Sequence, residues 1–253
     1  MRKIGKRLAV GAAVAAVWLA VWQILAAQVD LELLLPSPLA VGKTLVSLAG
    51  TAVFWQSAAT SLVRVLCGFA AAVVCGCLLA AATVRFAPLR ALVSPILAIV
   101  KSVPVASFIL LAFVWIGSEV LPAVIAFSMV LPIVWSNTEK GLKQTDVKLL
   151  ELAKVCRFGA ARTWRHIRIP AVMPYLLPAL TTGLGFAWKS GIAAEIIAHT
   201  EFSIGQYMYR AKSMLETTEL FAWTALVVVL SLAMEWVLAA LLRRAGKHLK
   251  GVA

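Results

Sequence analysis

The chain has 253 residues, of which 62% are hydrophobic and 14% are charged. Soluble globular domains are roughly 45–50% apolar and about 25% charged, so this composition excludes an ordinary soluble domain and indicates a membrane protein. The net charge of +13 comes from basic residues that lie between apolar runs rather than in one patch among aromatic residues, which argues against nucleic-acid binding. The four cysteines form no C-x-x-C pair and the three histidines lie far apart, so a metal site has no support.

Six apolar runs are long enough to cross a membrane, which takes about 20 residues of helix. They predict transmembrane helices at 8–29, 61–84, 91–116, 120–138, 171–197 and 219–242.

The first run follows the basic segment 1–7, an arrangement that is also found in secretory signal peptides. The apolar region of a signal peptide has roughly 7–15 residues, and the run that begins at Leu8 is longer. We therefore favour a retained first span over a cleaved signal. The segment 34–56 is punctuated by prolines near its start, and it predicts a helix that lies along the outer interface rather than a further span.

Lysine and arginine are distributed unequally between the two sides that six spans define. Eighteen lie on one side, in the pieces 1–7, 85–90, 139–168 and 243–250, and three lie in the pieces on the opposite side. Basic residues concentrate on the cytoplasmic side of membrane proteins. Both termini are therefore predicted to be cytoplasmic, and 139–170 is the one sizeable cytoplasmic connection.

This connection contains a short amphipathic pattern. Small and apolar residues fall on one stripe at helical spacing, with charged residues around them: Leu149, Leu152, Ala153 and Cys156. Gly159 then supplies a break, and Thr163–Ile169 predicts a second short helix that Pro170 ends. A basic loop attracted to anionic lipid and an amphipathic helix docked in a partner's groove both fit this pattern.

At this loop the sequence resembles a known family. Glu151-x-Ala153, followed by Ile167-x-Ile169-Pro170 and then Pro174, is similar to the "EAA" loop of binding-protein-dependent ABC importer permeases. Further matches to the nitrate/sulfonate/taurine branch follow in order within 35–245: Ser61-Leu62-x-Arg64-Val65, Lys101-Ser102-Val103-Pro104-x-Ala106, Pro132-Ile133, Asn137-Thr138, Gly183-Leu184, Ala187-Trp188, Ala194-Glu195 and Gly205. Each piece alone is weak, and their ordered combination is specific.

The resemblance implies an all-α integral membrane protein with the type I ABC importer permease fold, six transmembrane helices and a cytoplasmic coupling-helix loop. The helix around 149–159 would sit in a cleft on a separate ATPase subunit. The residues expected to dock there are Leu149, Glu151, Leu152, Ala153, Cys156, Arg157 and Gly159. For Glu151 the alternative is an ion pair with Lys148 or Lys154 along the helix, which is worth only about 0.2–0.5 kcal/mol.

One position departs from the family pattern. The pattern has glycine six residues after the glutamate, where this chain has Arg157, and Gly159 follows two residues later. We therefore expect the turn after the first short helix to be built differently.

The resemblance also implies partners. The chain has one coupling loop and no internal repeat, whereas a full transporter needs two loops, so we expect a homodimer with two ATPase subunits and an external substrate-binding protein. This chain would bind no cofactor and would not be an enzyme, because ATP and Mg²⁺ would bind to the partner ATPase. Its location would be the bacterial inner membrane.

Ionisable residues inside the spans indicate a translocation path, because a charge in lipid is costly and is retained for function. Lys101 and Lys189 both fall deep within their predicted spans. The candidate path residues are Lys101, Pro104, Trp188, Lys189, Ser190 and Glu195. The alternatives are a structural pair between Lys101 and Glu235, or lysine side chains that extend towards water.

The branch that the sequence resembles handles small anions such as nitrate, alkanesulfonates and taurine, and it also includes relatives that move vitamin-precursor pyrimidines. We therefore expect a small, anionic solute delivered by the external binding protein. An ion-coupled secondary transporter is the alternative function. Such a transporter would usually show an internal repeat and acidic residues in its spans, and this sequence shows neither clearly.

Overall fold

A computed structural model of the chain describes residues 2–29 and 31–250, with the backbone alone for 2–9, 12 and 245–250. The described chain is helical. Its α-helices are α1 (Arg2–Val29), α2 (Pro38–Ala49), α3 (Ala52–Arg85), α4 (Ala87–Ser102), α5 (Val105–Phe113), α6 (Leu121–Lys143), α7 (Val147–Val155), α8 (Ala160–Thr163), α9 (Ile169–Ala198), α10 (Ile204–Ser213) and α11 (Thr217–Lys250), with a π-helical turn at Trp164–Arg168 before α9.

Four helical stretches in the described part of the chain are long and apolar enough to cross a membrane. They are Ala52–Arg85, Leu121–Lys143, Ala160–Ala198 and Thr217–Arg244. The pair α4 and α5 passes the same test together and supplies a fifth span if it crosses as one broken helix. The apolar part of α1, Ala13–Val29, is shorter, so the predicted first span and the total of six remain predictions.

The expected span 91–116 is not one straight helix. It consists of α4 and α5, which meet at an angle of 107°. Between them, Pro104 has no N–H to donate and keeps Val103 in an extended conformation with ψ 132°, so the helix cannot continue through this point. As a result Lys101 lies in the last turn of α4 and not in the middle of a continuous span.

The boundary between the outer segment and the next span also differs from the expectation. The segment 34–56 contains α2, which ends at Ala49, and α3 already begins at Ala52. The side chain of Thr51 accepts a hydrogen bond from the backbone N–H of Phe54 and so caps the start of α3. The outer segment is therefore shorter than the predicted 34–56, and the long helix α3 starts well before residue 61.

The core lies where α3, α6 and α9 pack together. Val65, Val130 and Ala187 are fully buried in it. A Cβ atom on Gly68 of α3 would lie 2.2 Å from the carbonyl oxygen of Ala123, so this glycine lets α3 and α6 approach to backbone contact. These three helices form the rigid frame that positions both ends of the molecule.

Segments that the sequence assigns to the same side of a membrane lie together at the same end of the molecule. At one end, Thr200 donates from its hydroxyl to the carbonyl of Ser118 at 3.0 Å. At the other end, Arg90 forms a salt bridge of 2.6 Å with the buried carboxylate of Glu139, which Lys143 also contacts at 3.0 Å. The spatial grouping agrees with the alternation of loops on which the predicted orientation depends.

Candidate functional site

The predicted coupling helix is present as α7, and short-range hydrogen bonds define both of its ends. Asp146 precedes it in an extended conformation, and its carboxylate accepts from the backbone N–H of Lys148 at 2.8 Å. An acidic cap satisfies an otherwise unpaired donor and opposes the positive end of the helix dipole. The start of the helix is therefore set by its own sequence.

The end of α7 is closed by a Schellman motif. The backbone N–H of Phe158 donates to the carbonyl of Ala153 at 2.8 Å, and that of Arg157 donates to Lys154 at 3.0 Å. This closure requires a left-handed residue, and Arg157 adopts that conformation with φ 51°. Gly159 has φ −67° and directly precedes α8. Arg157 thus takes the conformation that a glycine would favour at this position, and Gly159 does not replace it.

The amphipathic stripe of α7 divides between two faces. Ala153 is 4% exposed and packs inward, whereas Leu149 and Leu152 are 48% and 57% exposed. Cys156 is exposed as well. Val155, which the sequence reasoning did not include, is 80% exposed. It could have been found, because it continues the spacing of three residues from Leu149 through Leu152. The outcome is an exposed apolar face on α7.

The other side of α7 borders a cleft of about 710 Å³. The cleft lies between α7, the end of α3 and the segment 160–168. Glu151 lines it beside basic residues, namely Arg85, Lys154 and Arg168. Glu151 itself is exposed, and among the residues that the structure describes it forms no salt bridge within 4.0 Å with either Lys148 or Lys154. Its carboxylate is therefore accessible at the surface of the loop.

The second short helix does not end at Pro170, and that prediction is wrong. The chain runs from Ala160 through the π-helical turn into α9 without interruption. In the π-helical turn the backbone N–H of Ile169 donates to Trp164, five residues back. Because this wider turn changes the hydrogen-bond register just before Pro170, the missing N–H of proline falls at the start of α9, where it is tolerated. A stiff connection therefore joins the loop to α9.

The candidate path residues fall into two groups. Lys101, Pro104 and Lys189 are exposed, and the ammonium group of Lys101 donates to the hydroxyl of Ser136 at 3.3 Å. The remaining residues, Trp188, Ser190 and Glu195, are buried. The six residues thus do not share one surface of this chain.

Two of the buried residues make contacts that explain their burial. The indole of Trp188 donates to the carbonyl of Val227 on α11 at 3.0 Å. The hydroxyl of Ser190 donates within its own helix to Phe186 at 2.8 Å. Trp188 therefore joins α9 to α11, whereas Ser190 satisfies its hydroxyl within α9.

Glu195 organises the start of α10. Its carboxylate accepts from the hydroxyl of Ser61 at 2.8 Å and from the backbone N–H of Gly205 at 3.2 Å. The Ser61 oxygen accepts in turn from the backbone N–H of Ile204 at 3.0 Å. A Cβ on Gly205 would lie 2.3 Å from the Cβ of Glu195, so only glycine fits. This buried carboxylate joins α3, α9 and α10.

Arg64 adds a second connection at the same end. It forms a salt bridge with Glu119 and donates to the carbonyl of Glu201 at 3.1 Å. These bonds join α3 to the turns before α6 and before α10. Sequence reasoning placed Arg64 only at the edge of a span, since nothing local identifies partners that lie 55 and 137 positions away.

A bundle of apolar, membrane-length helices, with one exposed amphipathic helix in its largest polar connection, defines a multi-span membrane protein. The chain belongs to the family of binding-protein-dependent transport system inner membrane components, whose model matches residues 72–247. It is therefore a permease of the ABC transport type. The resemblance drawn from the loop and span motifs is confirmed.

Relatives of known designation are similar over much of the chain. The taurine transport system permease protein TauC of Escherichia coli (strain K12) is 27% identical over 229 residues, which cover 88% of this chain and 83% of that protein. The bicarbonate transport system permease protein CmpB of Synechococcus elongatus is 28% identical over 161 residues, which cover 62% of this chain and 57% of that protein. This chain thus spans little more than half of CmpB.

A solved structure shows the same fold. A chain of the MetNI methionine ABC transporter, in an inward-facing conformation, resembles this chain with a TM-score of 0.59 and 20% identity. The likeness covers 75% of this chain and 93% of the matched chain. The expected all-α importer permease fold is confirmed.

Proposed function

We propose that this chain is the permease subunit of an ATP-driven importer of a small oxyanion, and that α7 couples it to a separate ATPase. The observation that carries the proposal is the exposed apolar face of α7 in a family of transport permeases. Leu149, Leu152 and Val155 project from a helix that is anchored inward by Ala153 and has capped ends.

Docking of this face is favourable because each buried leucine or valine contributes about 1.5–3 kcal/mol relative to exposure. Glu151 supplies a negative charge beside the apolar face, and basic residues in the docking cleft of the ATPase would recognise this charge. The stiff path through Ala160–Thr163 and the π-helical turn leads directly into α9. A displacement of α7 would therefore move α9 rather than be absorbed by a flexible linker.

The assembly that this function requires contains two permease chains, two ATPases and an external substrate-binding protein. Both termini and α7 would face the cytoplasm, because eighteen basic residues lie in the segments assigned to that side. ATP and Mg²⁺ would be bound by the ATPase subunits, and this chain would supply the path through the membrane.

The proposed solute class follows from the relatives. The names of the two relatives above refer to taurine, which carries a sulfonate, and to bicarbonate. The exposed lysines Lys101 and Lys189 are suited to a path for an anion. Uptake of labelled taurine and bicarbonate by proteoliposomes that contain the assembled transporter tests this class. Saturable, ATP-dependent uptake of at least one anion is expected, and uptake of neither would contradict it.

The docking role is tested by removing the apolar face. We expect the double variant Leu149→Ser/Leu152→Ser to lower the amount of co-purified ATPase at least about tenfold, since losing about 1.4 kcal/mol of association free energy has this effect. Both positions are exposed, so the permease itself should fold. The measurement is the ratio of ATPase to permease after affinity purification from membranes.

The matched control is Val46→Ser, an equally apolar-to-polar change at a 75% exposed position of α2. This control should leave the ratio unchanged within about twofold. Unaltered association in the double variant, with the control also unaltered, would show that α7 is not the docking element.

A further inference from the structure

A second cavity lies at the end of the molecule opposite α7, beside α10. Its volume is about 330 Å³, which suits a small solute. Side chains with hydrogen-bonding groups line most of it: His199, Gln206, Tyr207, Tyr209, Arg210 and Ser213. None of the described residues that line the cavity is acidic.

The lining groups are donors suited to oxygen atoms. Arg210 carries a planar fork of N–H groups that binds an oxyanion through two parallel hydrogen bonds. The amide oxygen of Gln206 accepts from the backbone N–H of Phe202 at 2.8 Å, so its NH₂ group remains to donate. The hydroxyls of Ser213 and Tyr209 add further donors.

The wall of the cavity is held in place from behind. His199 ends α9 in a left-handed conformation with φ 51°, and its ring packs on Tyr209 with centroids 3.8 Å apart. The backbone N–H of Thr200 donates to the backbone carbonyl of Glu195 at 3.1 Å. The ring of Tyr207 stacks on that of Trp223 with centroids 5.1 Å apart. Preformed donors need little reordering when a ligand binds.

The surrounding charge is mixed but favours an anion at the cavity itself. Lys212 does not line the cavity, and its ammonium group lies 5.9 Å from the centre of the Tyr209 ring. Beyond α10, the hydrogen bond and the charge of Glu219 raise the pKa of Glu216, and the positive charge of Arg210 partly opposes this shift. Arg210 is therefore partly offset by Glu216, which does not line the cavity.

We propose that this cavity binds a small oxyanion, of the sulfonate, sulfate or carbonate class, before it enters the translocation path. The site rests on the proposed function for its role in transport. The cavity would hold the anion through Arg210, with the neutral donors around it. The position opposite α7 places the site on the side from which an importer receives its solute.

The test uses the full-length permease in lipid nanodiscs without an ATPase. Saturation-transfer NMR measures binding of methanesulfonate and of dimethyl sulfone, a neutral molecule of the same shape. We expect methanesulfonate to bind and dimethyl sulfone to give no transfer. Arg210→Ala should weaken methanesulfonate binding about tenfold or more, and Arg210→Lys should weaken it less, since it keeps the charge but loses the fork.

Lys212→Ala is the matched control, because it removes the same charge from the same helix at a residue that does not line the cavity. It should change the affinity less than about twofold. Equal losses in the Arg210 and Lys212 variants would show a general charge effect and overturn the site.

Two other results would also overturn the proposal. One is no methanesulfonate binding to the wild-type chain. The other is unchanged anion binding in Arg210→Ala together with weaker binding of an external binding protein, which would assign Arg210 to that protein contact. Failure here is distinct from failure of the proposed function, because ATPase association is read independently through α7.

Discussion

Arg157 closes the end of α7 in the left-handed backbone region, with φ 51°. For a residue with a side chain this conformation costs roughly 1–2 kcal/mol. The cost is accepted because two backbone hydrogen bonds of the Schellman motif depend on it. The turn geometry that orients the apolar face is thus maintained against a local strain.

We expect Arg157→Gly to stabilise the closed end of α7 by about 0.5–1 kcal/mol, because glycine removes the strain but adds entropy to the unfolded chain. The readout is hydrogen exchange of the Arg157-position and Phe158 amides, which should slow about twofold to fivefold. Faster exchange in this variant would mean that the arginine side chain, and not the backbone turn, holds the loop.

Gly159→Ala is the control for that measurement. Gly159 has φ −67°, and a Cβ there would meet no atom within 4 Å. The change should therefore leave exchange at the end of α7 nearly unaltered. A strong effect of Gly159→Ala would place the essential glycine of the turn two residues later than the structure does.

At the scale of the helices, the π-helical turn at Trp164–Arg168 connects the loop that contains α7 to α9. Local sequence indicated a stop at Pro170, since proline usually ends a helix from its N-terminal side. The structure instead changes the hydrogen-bond register one residue before this proline, at Ile169. The helical chain from Ala160 is consequently continuous with α9.

The sequence predicted those elements whose signals are local. The periodicity of α7, the long apolar runs and the proline at the α4–α5 break are all visible within a few residues. The family motifs extended this to the fold, and they identified the loop that contains the exposed helix.

Other features depend on residues far apart in the chain and could not be read locally. The Ser61–Glu195–Gly205 connection joins three helices through hydrogen bonds that span up to 134 positions. Glu195 therefore read as a charge in a transport path, although its carboxylate is buried in a helix junction. The cavity beside α10 likewise exists only once α9 and α10 pack.

For the whole molecule, the two ends have different roles in the proposed transport cycle. One end holds α7 with an exposed apolar face, and the other holds α10 with a cavity lined by donors. The α3–α6–α9 core connects them, with Gly68 allowing backbone contact between α3 and α6. A partner that pushes α7 would act on this core through α9.

The central claim is that α7 is covered by an ATPase, and Cys156 offers a direct measurement. This cysteine is exposed beside the apolar face. In a background with the other three cysteines changed to alanine, the rate of its alkylation is compared before and after the ATPase is added to the purified permease. The control is a cysteine at the exposed Arg243 position of α11, in a Cys156→Ala chain.

We predict that added ATPase slows alkylation of Cys156 at least about tenfold, because docking would bury the thiol, and changes the rate at position 243 less than about twofold. Equal alkylation of Cys156 with and without a bound ATPase, at saturating ATPase concentration, would contradict the claim that α7 is the coupling element.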